Sequence, residues 1–134
     1  MTAPSIFRFL ERFTKLDQSD IVVQNLARYL SELTLLDIKM YNYNPSLIAA
    51  SSIYVAKKVL KRPHAWSLHL ASLIGYDERT VRDCAKEICI YLNLAHTKPE
   101  YQSLFKKFSL DKFHGVAKIP LTIDPKFETN SSSS

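Results

Sequence analysis

Glycine is nearly missing from this chain: 134 residues contain only Gly75 and Gly115, against a usual share of about 7%. Hairpin-rich sandwiches and barrels therefore lack the residue their turns most need, and neither a GxxxxGK[ST] nor a GxGxxG phosphate loop can be assembled. Cysteine is equally sparse, with Cys84 and Cys89 alone, which points to reduced thiols rather than a disulfide framework. Long hydrophobic runs are absent too. The longest uncharged stretch, residues 40–56, carries Asn42, Asn44, Pro45, Ser46, Ser51 and Ser52, too polar and too short for a hydrocarbon core of about 30 Å. The opening Ile6-Phe7-Arg8-Phe9-Leu10-Glu11-Arg12 has no apolar run ahead of a small-residue cleavage site, so secretion is not expected and nucleus or cytoplasm is. What remains is ordinary globular material. The chain is 46% hydrophobic, 11% aromatic and 23% charged, enough for one core in one all-α domain. Eighteen basic residues against thirteen acidic give a net charge of +5, dispersed along the helices and weak as a pointer to an acidic partner.

Periodicity places six helices, at about 4–16, 20–37, 45–61, 66–74, 77–95 and 100–108. Ile6, Phe9, Leu10, Phe13 and Leu16 mark the first. Ser19 or Asp20 caps the second, whose stripe is Val23, Leu26, Ala27, Leu30 and Leu33. Asn44 caps the third, and Pro45 suits its first position. This third helix, from Leu47 to Leu60, has almost no polar side before Lys57 and Lys58, so it belongs at the centre of the core. Its run Ala49-Ala50-Ser51-Ser52 permits close approach of neighbours. Trp66-Ser67-Leu68 opens the fourth helix, with Leu70, Leu73 and Ile74 inward and Gly75 as a left-handed C-cap. Asp77 caps the fifth, which carries Val81, Cys84, Ala85, Ile88, Leu92 and Ala95; Tyr101, Leu104, Phe105 and Phe108 mark the last. The domain is expected to span residues 1–119, with an extended or disordered tail over 120–134.

The residues that could carry chemistry do not assemble. Cys84 and Cys89 stand about 140° apart on a helix and read as core thiols. His64, His69, His96 and His114 have no HxxxH or HExxH spacing, and Asp77-Glu78 at a helix start is a cap with a dipole partner. No catalytic, metal or cofactor-binding residue is assigned. The basic string Lys57-Lys58-Val59-Leu60-Lys61-Arg62 matches a nuclear localisation or nucleic-acid patch, and equally a helix end whose cations face the negative pole of the dipole. Arg28-Tyr29-Leu30 forms an RxL docking string, but Leu30 lies on the buried stripe; Asn130-Ser131-Ser132 is formally a glycosylation sequon.

Four segments in order carry a family resemblance: Leu26-Ala27-Arg28-Tyr29-Leu30-Ser31-Glu32-Leu33-Thr34-Leu35-Leu36-Asp37; Tyr43-Asn44-Pro45-Ser46-Leu47-Ile48-Ala49-Ala50-Ser51-Ser52; Trp66 with Leu73-Ile74-Gly75-Tyr76; and Tyr101 to Phe108 with His114-Gly115-Val116-Ala117. From about Pro4 to Pro120 the chain resembles the C-terminal cyclin box of an A/B-type mitotic cyclin. The resemblance implies a five-helix cyclin fold around the helix at 45–61, followed by a short last helix. It also implies a non-catalytic subunit that activates a cyclin-dependent protein kinase in cell division. The family's main kinase-contacting and substrate-docking surfaces lie on an N-terminal box, and no "MR.IL" or RxxL string occurs here, so no kinase-contact residue is assigned. The chain is thus expected to be an excised piece or fragment that presents parts of helices one to three and the tail to the missing box. Its partners would be that box and, through the full-length parent, the kinase; nucleic acid and membrane are not expected. Two rival readings are a DNA- and partner-binding module resembling general transcription factor IIB, and a stand-alone adaptor reusing the fold.

Overall fold

The computed structural model describes residues 3–36, 40, 42–93 and 99–109, and among these every long element is a helix. In chain order they are α1 (Ala3–Asp17), α2 (Ile21–Thr34), α3 (Pro45–Val59), α4 (Leu68–Ile74), α5 (Glu78–Asn93) and α6 (Pro99–Phe108). α3 is the hub, packed against α1, α2 and α5, while α6 lies on α2 and α4 on α1.

The central position of α3 follows from its residues. Every side chain from Ile48 to Lys57 is buried, as a helix apolar all round requires. Small residues let the neighbours come close enough for polar contacts between helices. Ser31 of α2 donates to Ser52 at 3.1 Å, and Ser51 donates to the Val81 carbonyl of α5 at 3.2 Å. Ala49, Ala50 and Ala56 are fully buried beside them.

Side-chain caps start four of the helices, three at positions expected from the sequence and one, Ser67, at a position not expected as a cap. Asp20 caps α2 by accepting from the Val23 N–H at 2.9 Å; that bond, and then the Arg62 guanidinium, hold its carboxyl below the ordinary range. Asn44 accepts from the Ser46 N–H with Pro45 next to it, Ser67 accepts from Leu70, and Asp77 accepts from Thr80. Gly75, at φ 97°, closes α4 in the left-handed region, which glycine enters without steric cost.

Several helix ends depart from what the sequence predicts. α2 stops at Thr34 rather than 37, where the Thr34 hydroxyl bonds the Ser31 carbonyl and Leu35 and Leu36 tighten onto Glu32 and Leu33; side-chain and three-residue bonds replace the next helical turn. α3 stops at Val59 rather than 61. There Lys61 turns left-handed at φ 58°, and Lys61 and Arg62 return their N–H groups to Lys58 and Lys57, a Schellman end built without glycine. α1 ends the same way, through Gln18 at φ 57° with bonds from Gln18 and Ser19 to Lys15 and Thr14. α4 begins at Leu68 rather than 66, because Trp66 sits in a turn with its indole N–H on the Tyr76 carbonyl. Its inward face is Leu70 and, in part, Ile74; Leu73 is exposed instead, being about 100° round from Ile74. Val59 and Leu60 are half-buried at the margin of the core. Both cysteines are fully buried and free. Positions 37, 94–98 and 110–134 lie outside the described residues, and with them the ends expected at 37 and 95, Ala95, His96, His114, Gly115, the sequon and the tail over 120–134; the side chain of Leu104 does too.

The ends of α1 and α3 are joined by a buried ion pair. Lys57 Nζ lies 2.6 Å from Asp17 Oδ1 and 3.2 Å from the His64 carbonyl, with both charged side chains about nine-tenths covered. Asp17 also accepts from the Ser19 hydroxyl. Removing one partner leaves a buried charge, so Lys57→Ala should lower stability by about 3–5 kcal/mol, whereas the double change Asp17→Leu/Lys57→Met should cost far less. Urea denaturation of the two variants measures this, and equal losses would show that the pair is not what holds the ends together. Ala50→Leu should overpack α3 by about 1–3 kcal/mol, and an unchanged melting temperature would count against its central placement.

Candidate interaction surfaces

Buried and paired positions take up the residues that look most available for binding in the sequence. The basic string at 57–62 does not form one accessible patch. Lys57 is inside the ion pair, Lys58 lies 5.5 Å from the Tyr54 ring centroid, and Arg62 reaches Asp20 at 3.0 Å. Of the string's four cations only Lys61 is exposed without such a partner. The RxL string is likewise consumed by packing, with Tyr29 and Leu30 fully buried. Arg28 lies 3.7 Å from the Phe7 ring centroid and 2.9 Å from Glu32, which in turn receives Lys107 of α6 at 3.2 Å. This strip ties α1, α2 and α6 together.

No group of three His, Cys, Asp or Glu side chains able to hold a metal occurs among the described residues. Burial pushes the Cys84 thiol up to about 11, far from the thiolate that nucleophilic chemistry needs. His64 and His69 are exposed and have no carboxylate ion partner among the described residues. No helix among the described residues is long and apolar enough to cross a membrane.

A second lock holds α3 to the start of α5. Tyr54 Oη donates to Glu78 Oε2 at 2.9 Å, Arg82 lies 3.3 Å from the same oxygen, and the Tyr54 and Trp66 rings meet edge to face at 6.4 Å. Tyr76 completes it by sharing a 2.6 Å hydrogen bond with Ser46 at the start of α3. Only Glu78 and Arg82, four residues apart on α5, could be paired from spacing; the other contacts join residues 12 to 30 positions apart.

The surface that remains carries separate apolar side chains. Leu68 is 91% exposed and Leu73 partly exposed on α4, and Leu16, Ile21, Leu36 and Ile90 stand partly out of the rest of the chain. A groove between α1 and α2 is lined by Phe7, Glu11, Gln24, Asn25 and Arg28. Such a mixture of apolar and charged groups suits a macromolecular partner better than a small substrate.

Comparison with known proteins identifies the family. The family described as "Cyclin, C-terminal domain" matches residues 4–122. Among curated relatives, the G2/mitotic-specific cyclin-B of Dictyostelium discoideum is 34% identical over 122 residues, covering 90% of this chain and 28% of that protein. Cyclin-B1-2 of Arabidopsis thaliana is 31% identical over 119 residues, covering 89% and 26%. The G2/mitotic-specific cyclin cdc13 of Schizosaccharomyces pombe is 35% identical over 111 residues, covering 82% and 22%. The chain spans about a quarter of the length of these relatives.

Two tyrosines give contrasting expectations. Burial pushes the hydroxyls of both Tyr29 and Tyr54 from 10.0 up to about 12, yet the Tyr29 hydroxyl has no hydrogen-bond partner among the described residues. Tyr54→Phe, which removes a bond to a charged acceptor, should cost about 1.5–3 kcal/mol, whereas Tyr29→Phe should be neutral or stabilising by up to about 1 kcal/mol. A raised pKa favours the folded state below the unfolded value of 10.0, and that contribution is lost as pH rises through about 12. Tyr29→Phe should therefore shift the midpoint of alkaline unfolding upward, as followed by circular dichroism; a downward shift would mean that the hydroxyl has a partner.

Proposed function

Since the chain belongs to the family of cyclin C-terminal domains, we propose that it is half of a non-catalytic regulatory subunit that binds and activates a cyclin-dependent protein kinase in mitosis. The observation that supports this reading is the match over residues 4–122, joined by relatives named as mitotic cyclins. The domain occupies residues 1–119, followed by a tail over 120–134. It has no chemistry of its own, and it works by packing. An enclosed α3 with tethered ends makes a rigid block that supports a kinase-binding half located elsewhere in the parent protein. Parts of α1, α2 and α3, with the tail, face that half. Its compartment is the nucleus or the cytoplasm.

A pull-down from cycling-cell extract tests the proposal, with this chain and the full parent as separate baits, probed for cyclin-dependent kinases and for histone-kinase activity. The expected result is recovery of active kinase by the parent and not by the chain alone. Kinase recovered by the chain itself would place contacts on this domain. No kinase with either bait would overturn the reading in favour of an adaptor or a nucleic-acid module.

A further inference from the structure

The outer face of α1 carries a row of three cations against a single acid. Arg8, Arg12 and Lys15 follow at intervals of four and three, which puts them on one side of a helix, and all three are exposed. Elsewhere Asp17 is engaged by Lys57, Asp20 by Arg62, Glu32 by Arg28 and Lys107, and Glu78 by Arg82. On this face the one acid is Glu11, 3.8 Å from Lys15 with both side chains 76% exposed. Arg8 and Arg12 have no carboxylate at ion-pair distance among the described residues.

The same face is furrowed and partly apolar. Three adjoining depressions run along it: one lined by Ser5 and Phe9, one by Glu11 and Lys15, and one by Ser67 and His69 at the start of α4. The first two share Arg8 and Arg12, and the last two share Leu16, so the three form one row of neighbouring depressions. From Ser5 to Leu16 it measures about 17 Å. Phe9, half-buried against Phe13, and Leu16, 39% exposed, supply apolar contact along one side of the cation row.

We propose that this furrow, along α1 and onto the start of α4, docks an acidic segment of a protein partner whose carboxylates are spaced by apolar side chains. Charge complementarity selects the acidic partner. Phe9 and Leu16 beside the cations, and Glu11 within the row, favour a peptide over a phosphate backbone, which gains nothing from apolar contacts and is repelled by Glu11. The inference does not depend on the kinase reading.

Panning a phage-displayed library of random dodecapeptides on the full chain, followed by fluorescence polarisation with the enriched peptides, tests it. Enriched peptides should be acidic with interspersed apolar residues. Arg8→Glu/Arg12→Glu should weaken them by roughly tenfold or more, Leu16→Ser should weaken them independently, and Glu11→Gln should tighten them. Arg79→Glu/Lys86→Glu, an equal charge change at two exposed positions of α5, should leave affinity almost unchanged, and all variants should keep their melting temperature. Enriched peptides without acidic character, or an equal loss in Arg79→Glu/Lys86→Glu, would overturn the proposal. So would a short DNA duplex that binds more tightly than any peptide and is lost in Arg8→Glu/Arg12→Glu.

Discussion

A helix with apolar residues on every side is stable in water only when other helices enclose it, and α3 imposes that requirement on the whole chain. Its buried span from Ile48 to Lys57 has to be covered by α1, α2 and α5. Each of these presents one apolar stripe inward: Ile6, Leu10 and Phe13; Leu26, Leu30 and Leu33; Val81, Cys84, Ala85 and Ile88. The coverage works because alanine and serine occupy the contact positions of α3, where bulky side chains would hold the neighbours apart.

Apolar burial alone is non-directional, and many enclosures of α3 would satisfy it. The polar contacts select one. Lys57 with Asp17 joins the ends of α3 and α1, Tyr54 with Glu78 sets α3 against the start of α5, and Ser31 with Ser52 fixes the approach of α2. Trp66 and Tyr76 bind the α3–α4 connection to the α4–α5 turn. A rigid assembly of this kind suits a domain whose proposed work is to position another half of a protein.

Local rules make much of this architecture legible in the amino-acid sequence. The central place of α3 follows from its missing polar face. The starts at Asp20, Asn44 and Asp77 follow from side chains that cap within three residues, and the stop at Gly75 from a residue suited to positive φ. The order of motifs points to the cyclin box. What stays hidden in the sequence is action at a distance, or an unexpected residue in a special conformation. Nothing at Asp17 announces Lys57, 40 positions later. Lysine or glutamine at a left-handed helix end has no signature, so periodicity alone carries α3 two residues too far. The furrow along α1 is equally invisible as a site, because its cations resemble any solvated helix face unless the depressions beside them are seen.

Burial of Lys57 has a further consequence for how the basic string can be read by another molecule. Its cations are contiguous only as a line of text. In the folded domain the first is inside the ion pair and the last is turned toward Asp20. A receptor that recognises consecutive cations would meet the complete string only in molecules whose α3 end has opened, and the fraction of such molecules is set by the free energy of that opening. Accessibility of the string is thus a thermodynamic variable: whatever loosens the Asp17 end of α1 raises the fraction of molecules that display it, and whatever tightens it lowers that fraction without altering a single residue of the string.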